Sequence, residues 1–138
     1  MDKRLCLDTE IKLAVKNDRN IIGITKDSDI LVIGTDSDSL YFKRKFYLNK
    51  GNISAIAANP VEENEFFFVI VNNLMSHIYL CSIAKGDGNL YLISVVNSVI
   101  TSLTVSPDGK WIAGCGSDIF LYLYNIKSEE EFLNHSYA

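Results

Sequence analysis

Residues 99–126 read VITSLTVSPDGKWIAGCGSDIFLYLYNI, three apolar bursts separated by Ser-Pro-Asp-Gly-Lys and by Gly-Ser-Asp. Ile100, Leu103 and Val105, and then Phe120 to Tyr124, follow a period of two, so each burst is a short strand with one buried face. Pro107, Asp108 and Gly109 supply the first turn. Proline presets φ at the second turn position, aspartate bonds its own backbone, and glycine accepts positive φ. Gly116, Ser117 and Asp118 do the same between the next two strands, so the stretch is a meander of antiparallel strands.

The same turn chemistry recurs, and recurrence restricts the architecture more than any single strand does. With Pro60 placed under Pro107, Ile53-Ser-Ala-Ile56 falls under Ile100-Thr-Ser-Leu103, Phe66 to Val71 under Trp111 to Gly116, and Ile78-Tyr-Leu80 under Leu121-Tyr-Leu123. Sliding the earlier chain pairs Asp27 to Gly34 with Asp108 to Cys115 and puts Leu40-Tyr41 on Leu121-Tyr122. Copies of roughly 34 to 47 residues therefore begin near Ile21, Ile53 and Val99. Their length calls for a fourth strand each: Leu90 to Val95 after the Lys85-Gly-Asp-Gly88 turn, Phe46 to Leu48, and Phe132-Leu133. Four antiparallel strands per directly repeated unit is the pattern of propeller blades. Stacked sandwich sheets would not predict a repeat in the turns.

The last copy resembles the WD-repeat β-propeller family. SLTVSPDGKWIAGCGSDIFLYLYNI is similar to that family's strand a, Ser-Pro-Asp-Gly turn, strand b, Gly-Ser-x-Asp-like turn and strand c. Tyr124-Asn125 stands in the place of the Trp-Asp pair, and Asn134-His135 where the next Gly-His pair would come. Cys81-Ser82 and Lys43-Arg44 take the Trp-Asp place in the other copies, and Asp118 is the residue matching the carboxylate of the family's hydrogen-bonded tetrad. The resemblance implies an all-β partial propeller of about three four-stranded antiparallel blades plus an N-terminal closing strand. The closing strand is Glu10 to Val15, which alternates but precedes the first copy. The expected division is residues 1–18 for that strand, 19–51, 52–97 and 98–134 for the blades, and 135–138 as the start of a next blade or a tail.

Three blades cannot close a ring. Open side faces of the first and last blades would be apolar patches. A longer chain, self-association, or an assembly in which another chain supplies the remaining blades would each cover them.

Composition narrows the class. The 138 residues are 48% hydrophobic and 22% charged, ordinary for a globular protein. The longest apolar run, Phe66 to Val71, is far shorter than the roughly 18 residues of a membrane span, so no membrane association is expected. The N-terminus has no apolar signal core, and Cys6, Cys81 and Cys115 are far apart without metal spacing. Both features fit an intracellular protein, cytoplasmic or nuclear, with reduced thiols.

No enzyme is expected. His77 and His135 are the only histidines and sit in turn or junction positions. No metalloprotease, nucleophile-elbow or phosphate-loop motif appears. Gly114-Cys-Gly116 lacks a third glycine and leads into a strand, so no cofactor is expected. Asp27-Ser-Asp29 and Asp36-Ser-Asp38 lack the glycine and glutamate of a calcium loop, and turn chemistry accounts for both, so no metal is expected.

The resemblance implies a protein-interaction scaffold, a subunit or adaptor that binds protein partners on the face made by the d-to-a and b-to-c turns. On this chain the residues assigned to that face are Asp36, Asp38, Asn49, Lys50, Asn72, Asn73, Leu74, Met75, His77, Asn97 and Ser117. The segment Asn72 to His77 is expected as the longest of these loops, with Leu74 and Met75 toward solvent, either as a partner's anchor or packed against the neighbouring blade. The alternative is an RNA- or ribonucleoprotein-associated subunit. For it Lys43, Arg44 and Lys45, interleaved with Phe42, Phe46 and Tyr47, form the one basic and aromatic cluster in a chain of net charge −4.

Overall fold

The computed structural model describes residues 4, 7, 9–35, 40–48, 50–83 and 89–126. They form three antiparallel sheets, and in each the spatial order of the strands is their chain order. The first sheet holds β1 (Ile11–Lys16), β2 (Asn20–Thr25), β3 (Ile30–Thr35) and β4 (Leu40–Phe46). The second holds β5 (Asn52–Ala58), β6 (Glu65–Asn72), β7 (Met75–Ser82) and β8 (Asn89–Val96). The third holds β9 (Ile100–Val105), β10 (Trp111–Gly116) and β11 (Tyr122–Asn125). No helix occurs among the described residues, and so none is long and apolar enough to cross a membrane.

Turn residues set these hairpins. Between β9 and β10 the Gly109 N–H bonds the Ser106 carbonyl at 2.9 Å, and Gly109 stands at φ +72°. The Asp108 carboxylate ties the turn by accepting the Ser106 hydroxyl at 2.6 Å and the Lys110 N–H at 3.0 Å. Between β2 and β3 the Ser28 N–H bonds the Thr25 carbonyl and Ser28 takes φ +64°, a three-residue loop with its last residue left-handed.

The second sheet is covered on both faces. Along β6, Phe66, Phe68 and Ile70 join a core shared with Ile22, Ile24, Ile30, Val32 and Phe46 of the first sheet. Phe67 and Val69 point the other way, into a core with Ile100 and Ile112 of the third. A strand covered on both faces has no reason to alternate in polarity, which is why 66–71 is a continuous apolar run. Phe66 and Phe68 meet edge to face at 4.8 Å. Burial of each phenylalanine stabilises by roughly 2–3 kcal/mol. The innermost contacts between sheets are β1 against β5 and β5 against β9, so the first strand of each sheet lies nearest a common axis and the later strands fan outward. This is an open, partial propeller rather than a closed ring.

Two expectations about the first copy are corrected. Residues 10–15 are not a partnerless closing strand: β1 pairs with β2 from Ile11↔Thr25 to Lys16↔Ile21 and opens the first sheet. The cause is the turn at 17–19, where the Asn17 side-chain oxygen accepts the N–H of Arg19 at 3.2 Å and of Asn20 at 3.1 Å and folds the chain straight back. The first copy is consequently displaced by one strand: 30–35 is a third strand, not a second. Phe46 to Leu48 is likewise not a separate fourth strand, because β4 already runs from Leu40 to Phe46. Phe132-Leu133 and the 85–88 turn lie outside the described residues.

Candidate interaction face

Register brings one set of connections to one end of the sheets. Ile24↔Ile30, Asn72↔Met75 and Gly116↔Ile100 close the strands there, and β4 and β8 run out toward 47–51 and 97–99 at the same end. Two buried serines link neighbouring sheets. The Ser28 hydroxyl oxygen accepts the Ile53 N–H at 2.9 Å and a Lys12 ammonium bond at 3.1 Å. One sheet on, the Ser76 hydroxyl accepts the Ile100 N–H at 2.8 Å and donates to the Ser98 carbonyl at 2.6 Å. In the third sheet Ser117 accepts the Val99 N–H at 3.2 Å and pairs with the Ser98 hydroxyl at 3.1 Å.

Sequence reading missed Ser28 and Ser76, although a signal exists. Ser28-Asp-Ile30, Ser76-His-Ile78 and Ser117-Asp-Ile119 are one Ser-x-Ile triplet repeated at this end, and in the first two the serine bonds the first strand of the next sheet and the isoleucine is buried.

Asn73 and Leu74 alone connect β6 to β7, at φ +51° and +62°. Both values are those of a type I′ hairpin turn, whose preferred residues are asparagine then glycine. The expected long loop over 72–77 is therefore a two-residue tip, because Met75 to His77 already pair across to β6. Leu74 occupies the glycine place and leaves 75% of its surface exposed; Met75 is 37% exposed. Leu74 is thus not packed on a neighbouring sheet. The tip is braced from one side, where the Asn72 amide donates to the Lys50 carbonyl at 2.5 Å and Gly51, at φ +136°, admits the Asn72 side chain where a Cβ would collide.

The expected site residues are only partly gathered. Lys50, Asn72, Asn73, Leu74, Met75, Asn97 and Ser117 share this end. His77 is within β7, with its Nδ1 shielded from solvent and unpartnered. Asn49 lies outside the described residues, as do Asp36 and Asp38. The described residues on either side of them, Thr35 and Leu40, pair at the opposite end of the first sheet, the end of the β1–β2 turn. The one-strand displacement of the first copy is the reason.

Asp118 receives the Tyr122 hydroxyl and the Phe120 N–H. The Tyr122 hydrogen bond, foremost, holds its carboxyl below the ordinary aspartate value and pushes the Tyr122 phenol up. Tyr124 and Asn125 close β11, paired to Ile112 and Trp111, and Tyr124 packs on the core between the second and third sheets.

Lys43, Arg44 and Lys45 lie on β4, away from the turn tips. Each cation stands over an aromatic ring: Lys43 over Tyr41 at 5.9 Å, Arg44 over Phe46 at 6.0 Å and Lys45 over Tyr47 at 5.0 Å. Lys43 also donates to the Asn20 side-chain oxygen at 2.8 Å. Among the described residues no group of three metal-ligating side chains occurs. A surface groove of about 530 Å³ sits at the opposite end and is lined by Lys16, Asn17, Asp18, Thr35 and Pro60 among others.

No family model matches the chain, and no curated protein sequence does. Solved structures do match in fold. The β-propeller domain of Cps50 (Swd1) from Myceliophteria thermophila superposes with a TM-score of 0.64 at 14% identity, over 85% of this chain and 40% of that one. A putative 6-phosphogluconolactonase from Bacteroides uniformis gives 0.65 at 11% identity, over 93% of this chain and 39% of that one. KlAtg21, solved in complex with the coiled-coil of AgAtg16, gives 0.51 at 13% identity, over 88% and 55%. The chain thus spans from two fifths to just over half of the lengths it matches. Its fold is that of a segment of a β-propeller, and the three sheets are blades.

Proposed function

We propose that this chain is a WD-repeat-like propeller portion acting as a non-catalytic protein-interaction scaffold, a subunit or adaptor within a larger assembly, and that its partner docks on the turn face around Leu74. The observation that carries this reading is Leu74 itself. An exposed leucine in a left-handed turn position forgoes burial and adds backbone strain of order 1–2 kcal/mol. Local stability would place glycine there; an apolar anchor for a partner accounts for leucine. Two of the fold's neighbours support the reading, one solved with a protein coiled-coil and one named as the Cps50 (Swd1) propeller. The lactonase-like neighbour is the enzymatic counterexample, but no catalytic pair lines the grooves found among the described residues of this chain. Free thiols at Cys81 and Cys115 fit the cytoplasm or nucleus.

The test is a comparison of wild type with a Leu74→Ser, Met75→Ser double variant. Proteins cross-linked to each in cells are identified, and folding of the variant is verified by circular dichroism. Loss of a defined partner from the folded variant supports the turn face as the docking site. An unchanged partner set sinks it.

A further inference from the structure

The turn face carries a second apolar anchor, on the blade next to Leu74. Ile119, Phe120 and Leu121 follow one another in the connection between β10 and β11 and leave 95%, 61% and 62% of their surface exposed. With Leu74 and Met75 they make five large apolar side chains at one end of two adjacent blades. The largest apolar patch on a typical monomer covers roughly 300–600 Å² and commonly marks function; five such side chains reach that scale.

Both anchors are held in place before anything docks. The Ser117 N–H bonds the Val99 carbonyl at 3.0 Å, and the Asp118 carboxylate accepts the Phe120 N–H at 3.1 Å and the Tyr122 hydroxyl. The Phe120 ring lies 6.3 Å from that of Tyr122, tilted by 60°, and Tyr122 packs on the core between the second and third blades. Phe120 therefore continues that core outward, toward the turn face. Ser98 ties the two tips to each other. Its carbonyl accepts the Ser76 hydroxyl at 2.6 Å, at the foot of the Leu74 hairpin, and its own hydroxyl meets that of Ser117 at 3.1 Å. Anchors fixed in this way lose little conformational freedom on binding.

We propose that these two anchors receive an amphipathic α-helix of a partner protein, laid across the tips of the second and third blades; this rests on the turn-face reading above and names the partner's chemistry. The Leu74 tip joins β6 and β7, interior strands each paired on both sides, so it presents side chains and no free backbone edge. A segment lying over it has to satisfy its own N–H and C=O groups, as a helix does. Neighbouring sheets pack about 10 Å apart and seven residues of helix rise about 10.5 Å, so one apolar stripe at i, i+3 or i+4, and i+7 spans both anchors. Charge is nearly absent here. In residues 72–76, 97–99 and 117–121 Asp118 is the one charged side chain, and its carboxylate is engaged with Phe120 and Tyr122. An anionic lipid surface would call for lysine or arginine beside the apolar tips. The described residues of this chain contain no helix, so a second copy of them does not supply one.

The test uses the full chain and a display library of helix-forming peptides, roughly 18 residues long, with leucine, isoleucine, phenylalanine or methionine varied at i, i+3, i+4 and i+7. A second library places the same residues at every other position, and vesicles of phosphatidylcholine with and without phosphatidylserine serve as comparators. Saturable binding by helix-patterned members is expected, with a rise in helical circular dichroism on binding. Proline at the centre of the best peptide should abolish it, and Ile119→Ser and Phe120→Ser should each weaken it about tenfold or more. If the Phe120 variant fails to fold, the Ile119 variant decides, because that side chain is almost wholly in solvent. A peptide that Leu74→Ser loses but both third-blade variants retain overturns the helix across two blades and leaves docking at Leu74 standing. Binding indifferent to all three variants overturns both readings. Absence of any saturable helical binder, equal binding by the alternating library, or flotation of the chain with either vesicle also overturns the proposal.

Discussion

At the scale of single residues, strain and ionisation make separable predictions. Replacing Leu74 by glycine restores the residue that a type I′ turn prefers. The L74G chain is expected to gain about 1 kcal/mol of stability, read from urea unfolding, while losing the docking proposed for this position. Gain of stability with loss of partner would be hard to explain by misfolding. Asp108 and Asp118 both titrate low in the folded chain, Asp108 through the Ser106 hydroxyl first and Asp118 through the Tyr122 hydroxyl first. A folded value below the unfolded one means that their contribution is complete above the ordinary carboxylate pKa of about 4 and is lost as pH falls through the folded values. The thermal midpoint should fall in that acid range, and D118N should flatten the fall. The cysteines differ as sharply: burial pushes the Cys81 thiol up to about 12, whereas Cys115 is exposed. Iodoacetamide on the native chain should label Cys115 and spare Cys81, as peptide mass spectrometry would record.

At the scale of elements, the hairpins that were legible are those whose turns carry distinctive residues. Ser106-Pro-Asp-Gly109 announces β9 and β10 because each residue has a conformational reason to be there. The first blade was misread for the same kind of reason. Asp27-Ser-Asp29 looks like the Pro-Asp-Gly turn, yet it joins second and third strands, and the Asn17 turn that folds β1 onto β2 has no glycine or proline to mark it. The tip at Asn73-Leu74 was read as a long loop because leucine is a poor sign of a tight turn. What fixes register physically is the serine at the second-to-third-strand junction, since its hydroxyl satisfies a buried N–H of the next blade. S76A would leave the Ile100 N–H without that acceptor and should cost about 1–3 kcal/mol in chemical unfolding. The basic edge was legible as a cluster, but not the bulge that leaves Lys43 opposite no residue of β3, because a bulge depends on the partner strand.

At the scale of the whole molecule, the two outer blades are unequal. On the first blade Leu31 and Ile33, which point away from the second, are already largely buried. The third blade instead exposes Trp111 by 49% and Leu123 by 57%, on the face opposite the second core, where Trp111 pairs with Asn125 and Leu123 with Ala113. Such a face is expected to draw a further sheet, from the same polypeptide, a second copy or another chain. Light scattering should find the 15.5 kDa chain above monomer mass when it is alone, and L123E should shift it toward monomer. Trp111, the single tryptophan, reports on that event directly, its emission moving to shorter wavelength as the face is covered. The middle blade's double-sided strand has a dynamic corollary. Among the described residues each outer blade shares a core with the middle blade alone, so the amides of the third should exchange with deuterium soonest unless its open face is occupied, and those of β6 last. Exchange along β10 is then a gauge of occupancy: the slower it runs, the more completely a neighbour has closed over the last blade.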